Sequence, residues 1–291
     1  MIHGWVVVDK PQGMSSAQVV AKIKRLFNAK KAGHGGTLDP LATGVLPIAL
    51  GEATKTLSYV LDGRKSYRFE VKWGEARSTD DQEGEVTATS DKRPNPQEIE
   101  EILPLFRGSI EQIPPVYSAL KVNGERAYAL ARQGKEVIMT KRQVEIESLM
   151  LVQTTPDTAI FEVVCSKGTY VRSLARDIAV HLGTVGHILA LRRLMAGPFL
   201  EASSILLDSL LQIGHNTGLI KYVLPLQGAL ADILALEIQD IEAVKLRQGQ
   251  TIFSSQKERE EVALILCGGV PQALAKVGEG QITPLRVFNI E

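Results

Sequence analysis

The stretch Gly33–Pro47 combines residues that could do chemistry with residues that fix a loop. Its single carboxylate is Asp39, and His34 lies five residues upstream. The glycines around His34 supply backbone conformations that other residues avoid, while Pro40 biases Asp39 towards an extended backbone. The pattern predicts a lone carboxylate that is held on a tight loop and is available for chemistry.

Asp39-Pro40 also fits a purely structural role. Asp is a preferred residue at the N-terminal cap of a helix, and Pro is favoured in the first helical turn. A helix that begins here would use Asp39 as a cap and leave it no part in chemistry. The glycines favour the loop, but the residue types alone leave both interpretations open.

The composition is that of an ordinary globular protein. Hydrophobic residues make up 44% of the 291 residues, and 33 basic residues balance 33 acidic ones. Cys165 and Cys267 stand far apart without a Cys-x-x-Cys spacing, and the five histidines are scattered. We therefore expect a reducing, cytoplasmic environment, no disulfide framework and no metal site.

Neither a membrane span nor a signal peptide is expected. No apolar run in the sequence approaches the roughly 20 residues that a membrane-spanning helix needs. Within Met1–Lys10, only Trp5–Val8 is apolar, and Asp9 and Lys10 follow at once. This pattern differs from that of a secretory signal peptide, and we expect no membrane partner.

Basic residues are concentrated in two groups despite the zero net charge. The first group is Lys22, Lys24, Arg25, Lys30 and Lys31, and the second is Arg172, Arg176, Arg192 and Arg193. Such a group is most often a solvated helix face, and it can also contact the phosphate groups of a nucleic acid. If both groups contact phosphate, nucleic-acid binding should weaken steeply as salt is added.

Two elements in the first third of the chain are clear from the spacing of apolar residues. Apolar and charged residues alternate over Ser66–Trp73, which predicts a strand with Tyr67 as the first residue of its apolar face. Helical spacing of apolar residues follows Ser15 and Ser16, so one of these two serines is expected to cap a helix.

Two helices are predicted in the region of the second basic group. Ser166–Thr169 is expected to cap a helix over residues 170–182, on which Arg172 and Arg176 share a face. A further helix is predicted over residues 188–195, because Gly197-Pro198 would end it.

From about residue 231 the sequence changes to short predicted strands around one helix. Leu234–Ile238 is predicted to be a strand and Asp240–Arg247 a helix, and several short strands follow. We expect two domains, a large one over residues 1–230 and a small β-rich one over residues 231–291.

Several stretches of the sequence resemble the TruB family of tRNA pseudouridine synthases. They are Asp9–Ser16, Gly35–Pro47, Lys65–Tyr67, Gln112–Lys121, Cys165–Asp177 and Leu191–Arg193. The resemblance is strong over about residues 1–200, and the C-terminal region is similar, more loosely, to the PUA domain, an RNA-binding module. One departure is Arg77, where the family pattern Gly-x-x-Thr-x-Thr-x-Asp-x-x-Gly has its first threonine, and this affects contacts in that loop.

The resemblance implies both a fold and a reaction. The implied fold is α+β, with a large mixed, mainly antiparallel sheet flanked by helices and a small β-rich PUA-like C-terminal domain. The implied reaction converts one uridine in the T loop of tRNA, number 55 in tRNA numbering, to pseudouridine. This isomerisation consumes nothing, so no cofactor is expected. The implied partner is the tRNA T-stem loop, which a monomer would bind.

The resemblance also assigns roles to single residues. Asp39 is the implied nucleophile, attacking either the ribose or the base, and Arg172 pairs with it and favours its charged form. Tyr67 is the third implied catalytic residue, and it stacks on the extruded base. Four further residues are implied to bind the substrate or to support its cleft: His34, Tyr170, Leu191 and Lys10.

Two other functions are compatible with some of these residues. A glycosidase would also use Asp39, but it normally needs a second carboxylate as acid, and no comparable loop carries one. A non-catalytic RNA-binding or tRNA-folding protein would share the PUA-like region. Formation of free sugar ends would identify the first, and a T-loop transcript that gains no pseudouridine would identify the second.

Overall fold

The computed structural model describes residues 1–118, 120–122, 124–214, 217–253 and 261–290. The strands are Gly4–Lys10 (β1), Ala32–His34 (β2), Thr43–Leu50 (β3), Lys65–Trp73 (β4), Glu75–Arg77 (β5), Val86–Thr89 (β6), Gly108–Gln112 (β7), Lys121–Val122 (β8), Glu125–Arg126 (β9), Arg142–Thr154 (β10), Thr158–Cys165 (β11), Gly186–Ala196 (β12), Phe199–Leu200 (β13), Ile205–Leu206 (β14), Leu234–Glu237 (β15), Ile252–Phe253 (β16), Glu261–Cys267 (β17), Val270–Gly278 (β18) and Gln281–Val287 (β19). The α-helices are Ser16–Leu26 (α1), Leu57–Asp62 (α2), Pro96–Ile102 (α3), Ala127–Arg132 (α4), Val171–His181 (α5), Leu207–Ile213 (α6) and Asp240–Arg247 (α7). Ala119, within the stretch Gln112–Lys121 that resembles the family, lies outside the described residues.

The chain forms two compact units, each drawn from separate parts of the sequence. The first unit comprises Met1–Pro40, Gly44–Asp62 and Ala196–Glu291, and the second comprises Leu41–Thr43 and Gly63–Met195. The first unit therefore contains the N-terminal elements together with the β-rich C-terminal part. The division of the chain into domains 1–230 and 231–291 stays a prediction.

Strand β1 is an inner strand of the sheet in the first unit. It pairs in parallel with β14 and antiparallel with β3, which in turn pairs antiparallel with β2. The apolar run Trp5–Val8 is at most 2% exposed, as expected for a strand that is covered on both faces. Helix α1 follows β1, and Ser15 caps it by accepting a hydrogen bond from the Gln18 backbone N–H.

The C-terminal part of the first unit is a five-stranded sheet with one helix. The strand order is β15-β17-β18-β19-β16, and β15 and β17 are parallel. Leu246 of helix α7 packs against Ile252, Ile265 and Val277 of the sheet. The predicted strand near residues 234–238 and the predicted helix at 240–247 are thereby confirmed.

One hydrophobic cluster joins this C-terminal sheet to the N-terminal strand of the same unit. Leu264, Leu274 and Phe288 belong to the same cluster of buried side chains as Trp5 and Val7. Residues before and after position 230 therefore contribute to one core.

The second unit is built on strands in the order β12-β4-β11-β10-β7. The pairs β4–β11, β11–β10 and β10–β7 are antiparallel. Strand β4 shows the predicted alternation, because Phe69, Val71 and Trp73 are buried and Tyr67 is half-buried. Phe69 stacks on Phe161 of β11 with ring centroids 5.2 Å apart, which fixes the register of these two strands.

The prediction of a helix over residues 188–195 is wrong, because these residues lie in strand β12. Leu191 and Arg193 are buried and Arg192 between them is half-buried, as expected for a strand. The residue types favour a helix by propensity, but a place beside β4 in the sheet outweighs that preference. The preceding helix prediction, over 170–182, is confirmed by α5. The cap predicted at Ser166–Thr169 is wrong, because the N-cap residue is Tyr170 and no side chain caps the helix.

Helices combined with mixed, mainly antiparallel strands make this an α+β fold, as predicted. Among the described residues, no helix is long and apolar enough to cross a membrane. Within the same part of the chain, no group of three or more His, Cys, Asp or Glu side chains is placed to hold a metal ion.

Candidate active site

Asp39 lies in an irregular loop between β2 and β3. On either side of it, Leu38 and Leu41 are 3% and 4% exposed, whereas Asp39 itself is half-buried. No helix begins at this point, so the interpretation of Asp39-Pro40 as a helix start is wrong. Burial of the two leucines anchors the loop and leaves the carboxylate between them accessible.

Two glycines ahead of Asp39 are required by the geometry of the loop. Gly36 has a φ of 127°, which other residues rarely adopt. A Cβ atom at Gly35 would lie 2.5 Å from Cγ1 of Val60 on α2. The Gly35 N–H also donates to the Pro47 carbonyl at 2.8 Å. The glycines therefore allow the loop to lie directly against α2.

Three groups near the start of the chain hold the backbone on both sides of Asp39. The Ser16 hydroxyl accepts a hydrogen bond from the Leu38 N–H at 2.8 Å and donates one to the Leu38 carbonyl at 3.0 Å. The Gly13 N–H donates to the Pro40 carbonyl at 2.8 Å. Lys10 Nζ donates to the same carbonyl at 3.3 Å. The position of Asp39 is thus fixed by β1 and by the first residue of α1.

The side chain of Lys10 is fully buried, which is uncommon for a lysine. Its Nζ also donates to the carbonyls of Pro11 at 2.9 Å and Met14 at 2.7 Å. These carbonyl dipoles compensate the buried charge, and they tie it to the loop that carries Asp39. The arrangement supports the interpretation of Lys10 as a residue that supports the cleft.

His34 is the last residue of β2 and lies opposite Ile48 of β3 in the register of the pair. Its side chain is half-buried. The first unit therefore carries three of the seven predicted site residues, Lys10, His34 and Asp39, on and beside one loop.

Arg172 lies near the start of α5 in the second unit, and it is only 5% exposed. Its Nη1 donates to the Thr79 carbonyl and its Nη2 to the Tyr117 carbonyl, each at 2.9 Å. The guanidinium also lies 3.4 Å from the carboxylate of Asp81. An ordinary surface ion pair is therefore excluded for Arg172, because the side chain is buried and has several partners.

Asp81 is a site residue to which the sequence pattern alone assigned no role. It is 3% exposed, and besides Arg172 its carboxylate accepts hydrogen bonds from the Thr79 hydroxyl and the Glu83 N–H. The sequence does indicate this residue, because Asp81 stands at the aspartate position of the family pattern in the loop after Trp73. Ser16 is the second such residue, since sequence reasoning considered it only as a possible helix cap.

The first turns of α5 also hold the segment that follows β7. The Ile113 carbonyl accepts hydrogen bonds from the Ser173 hydroxyl at 2.8 Å and from Arg176 at 2.9 Å. Gln112 and Tyr170 exchange two hydrogen bonds through the Gln112 side-chain amide and the Tyr170 backbone. The backbone of Tyr170, a predicted pocket residue, is therefore fixed at the N-terminus of α5.

The pKa values of two carboxylates beside Arg176 are raised. Burial raises the pKa of Asp80 above its usual value, against the opposing charges of Arg176 and Arg172. Burial likewise raises the pKa of Asp177, against the charge of Arg176. Arg176 bonds to both, at 2.8 Å and 3.0 Å, and thereby favours the charged forms that burial disfavours.

Tyr67 and Leu191 lie on strands of the second unit. Tyr67 of β4 stands opposite Val163 of β11 and is half-buried, and Leu191 of β12 is 7% exposed. The second unit thus carries the remaining four predicted site residues, two on strands and two at the start of α5. The predicted pairing of Asp39 with Arg172 stays a prediction.

Arg77, the departure from the family pattern, makes loop contacts of its own. Its guanidinium donates to the Gly84 carbonyl at 2.9 Å and to the Glu75 carboxylate at 2.9 Å. Hydrogen bonds from Lys72 and Arg77 lower the pKa of Glu75 to about 2. The arginine therefore closes the loop from Glu75 to Gly84 in place of the threonine that the family favours.

The two basic groups differ in their surroundings. In the second group, Arg172 and Arg193 are buried and Arg176 bonds to two carboxylates. Arg192 is half-buried, and its Nη1 donates to the Thr43 hydroxyl. The prediction that Arg193 lies at a phosphate interface is therefore wrong, because a side chain that is 1% exposed cannot meet a phosphate in solvent.

Two family profiles match adjacent parts of the chain. The N-terminal domain of TruB family pseudouridylate synthases matches residues 24–171. The C-terminal domain of tRNA pseudouridylate synthase B matches residues 172–231.

Curated relatives match nearly the whole sequence. The tRNA pseudouridine synthase B of Bradyrhizobium diazoefficiens is 53% identical over 99% of this chain and 86% of its own. The tRNA pseudouridine synthase B of Rhodospirillum rubrum is 50% identical over 99% of this chain and 97% of its own.

The fold is similar to that of a chain in the crystal structure of a Cbf5-Nop10-Gar1 complex. That chain is 25% identical, with a TM-score of 0.74 over 98% of this chain and 84% of its own. The similarity includes the C-terminal β-sheet, in agreement with the predicted PUA-like domain.

Proposed function

Because the chain belongs to the TruB family of pseudouridine synthases, we propose that it converts one uridine in the T loop of tRNA to pseudouridine. The proposed target is uridine 55 in tRNA numbering. The proposed enzyme acts as a monomer on the T-stem loop in the cytoplasm. The relatives of about 50% identity named tRNA pseudouridine synthase B support the choice of tRNA as substrate.

The proposed reaction exchanges one bond between base and ribose for another. The bond from the ribose to N1 breaks, the base turns, and a bond from the ribose to C5 forms. C5 then loses its proton and N1 gains one, so product and substrate have the same composition. The base must leave its stack in the folded T loop first, at a cost of a few kcal/mol.

Asp39 is the proposed nucleophile, which attacks either the ribose or the base. The observation that carries this proposal is a half-buried carboxylate between two buried leucines, on a loop fixed by Ser16, Gly13 and Lys10. A nucleophile held in one geometry has less entropy to lose when it reacts. Arg172 is the proposed positively charged partner of this carboxylate.

The other residues have proposed roles in binding. Tyr67 stacks on the extruded base, Tyr170 and Leu191 line its pocket, and His34 contacts the RNA that the base has left. Lys10 acts through the loop rather than on the substrate, in agreement with its bonds to three carbonyl groups. The PUA-like domain is proposed to add RNA contacts outside the T loop.

Replacement of Asp39 by Asn tests the proposal. The change is nearly isosteric and leaves Pro40 and the glycines in place, but a neutral amide cannot attack. Release of tritium from C5 of a labelled T-loop transcript should fall below detection, while RNA affinity stays within about threefold of the parent value.

Asp91→Asn is a matched control, because Asp91 is exposed and carries the same charge. We expect this variant to release tritium at close to the parent rate. Pseudouridine formation by pure Asp39→Asn protein, free of deamidation back to Asp, would disprove the nucleophile. A parent protein that binds the transcript but releases no tritium would instead indicate a non-catalytic RNA-binding protein.

A further inference from the structure

The five basic residues of the first group lie on one segment of the chain, and we call their exposed side chains together the α1 basic surface. It comprises Lys22, Lys24, Arg25, Lys30 and Lys31, on α1 and on the segment that joins α1 to β2. All five side chains are exposed. Within the described parts of the chain, none of the five makes a hydrogen bond or an ion pair. Their charges are therefore not neutralised by the protein.

The segment that carries these cations contains no acidic residue. The chain contains as many acidic as basic residues, yet no Asp or Glu occurs between Asp9 and Asp39. Several other exposed cations do pair with carboxylates, as Arg64 does with Glu147 at 2.9 Å. Because exposed cations without nearby carboxylates raise the local positive potential, the α1 basic surface attracts anions even though the net charge is zero.

The surface is partly concave. Lys22 and Arg25 line an open cavity of about 440 Å³, together with Leu211 and Gly214 at the end of α6. A concave basic wall can meet a curved polyanion at several points at once. Cations in the last turn of a helix are stabilised by the helix dipole, which accounts for Lys24 and Arg25. The other three cations lie outside that turn, so the dipole does not account for them.

The surface leads directly to the loop of the candidate site. Lys31 is followed at once by β2, which ends at His34, and Asp39 comes five residues later. A strand rises about 3.3 Å per residue, so Lys31 and His34 are about 10 Å apart. An RNA that contacts His34 is therefore within reach of Lys31.

We propose that the α1 basic surface binds phosphate groups of the RNA stem that carries the target uridine, without reading its sequence. The proposal rests on the proposed function. Lysine ammonium groups are point charges suited to phosphate. The aromatic residue of this segment, Phe27, is 3% exposed and cannot stack on a base. Contacts of this kind set position and affinity but not sequence preference.

The test compares two triple variants that lose the same charge. Lys22→Gln/Lys24→Gln/Arg25→Gln removes three cations of the surface. Arg64→Gln/Arg68→Gln/Lys141→Gln is the control, because each of its cations is exposed and already pairs with a carboxylate. Binding of a labelled T-stem-loop hairpin, and of a hairpin with the same stem and an unrelated loop, is measured from about 50 to 200 mM salt.

Each phosphate contact contributes about 0.7 to 0.9 to the slope of log K against log salt, so the slope of the surface variant should be smaller by about 2 to 3. The loss should be equal for both hairpins, and the control should keep the parent slope. Equal slopes for the two triple variants would overturn the proposal, and so would a loss limited to one hairpin. Failure of the proposed function has a different readout, because in that case the parent protein releases no tritium from the T-loop transcript.

Discussion

At the scale of single residues, the contact between Arg172 and Asp81 is the feature of the second unit that bears most directly on the proposed role of Arg172. Both side chains are at most 5% exposed, and the guanidinium also bonds to two backbone carbonyls. A buried arginine keeps its charge, so a carboxylate beside it fixes both its position and its electrostatic effect. Asp81 therefore acts as a positioning residue for Arg172.

We predict that Asp81→Asn slows the chemical step. The arginine loses its carboxylate partner, and breaking a buried pair destabilises a fold by about 3 kcal/mol. A displacement of about 1 Å at the reacting groups costs about 100-fold in rate. The single-turnover rate of pseudouridine formation should fall by about 100-fold. The affinity for the hairpin, measured in parallel, should change little.

Glu83→Gln is the control for this variant, because Glu83 lies in the same loop, carries the same charge and is exposed. Its rate and its melting temperature should match those of the parent. If Asp81→Asn turned over at the parent rate, Asp81 would have no part in positioning Arg172.

At the scale of elements, the start of α1 links the N-terminal strand to the loop of Asp39. Adjacent serines have different tasks there, since Ser15 caps the helix and Ser16 bonds to both backbone groups of Leu38. Ser16 is 2% exposed, so water cannot replace its hydroxyl without rearrangement. The helix thereby holds the loop as well as its own first turn.

We predict that Ser16→Ala lowers turnover much more than Ser15→Ala does. Ser16→Ala leaves the Leu38 N–H and carbonyl without their partner, which costs about 1–3 kcal/mol and loosens the loop. The kcat of tritium release should fall by about 10- to 100-fold.

Ser15→Ala removes a helix cap worth about 1 kcal/mol, so it controls for stability without touching the loop. Its kcat should stay near the parent value. Equal losses of kcat in the two variants would show that helix stability, and not the bond to Leu38, determines activity.

At the scale of the whole molecule, the β-rich C-terminal part is integrated into the first unit. Besides the shared core, Lys55 Nζ donates to the Val287 carbonyl at 2.7 Å, and the Asn289 N–H donates to Glu52 at 2.9 Å. Hydrogen bonds and apolar contacts across residue 230 predict that both parts of this unit unfold together.

Phe288→Ala tests this coupling. Phe288 is 1% exposed, and truncation of a buried phenylalanine to alanine costs about 3–5 kcal/mol. We expect the urea midpoint followed by far-ultraviolet circular dichroism and by tryptophan fluorescence to fall together, because Trp5 lies in the same cluster.

Phe253→Ala is the matched control, since Phe253 is 86% exposed and its removal creates no cavity. Its midpoint should equal that of the parent. If the midpoint of Phe288→Ala fell by circular dichroism but kept the parent value by tryptophan fluorescence, the C-terminal part would unfold alone, because both tryptophans lie before residue 230.

Local patterns in the sequence determined the features that depend on short stretches of chain. The alternation in β4 follows from neighbouring residues. For the cap of α1, the local pattern narrowed the choice to Ser15 or Ser16, and for Asp39 it left a loop and a helix start as the two alternatives. The stretches that resemble the TruB family likewise indicated the reaction and most of the proposed site residues.

The tertiary structure decided the features that depend on distant parts of the chain. Residues 188–195 form a strand because of their neighbour in the sheet, against their helical propensity. Ser16 and Leu38 are 22 positions apart, and Arg172 and Thr79 are 93 apart. A hydroxyl or a guanidinium can satisfy its hydrogen bonds with many partners, so the sequence alone does not specify which one the folded backbone brings to it.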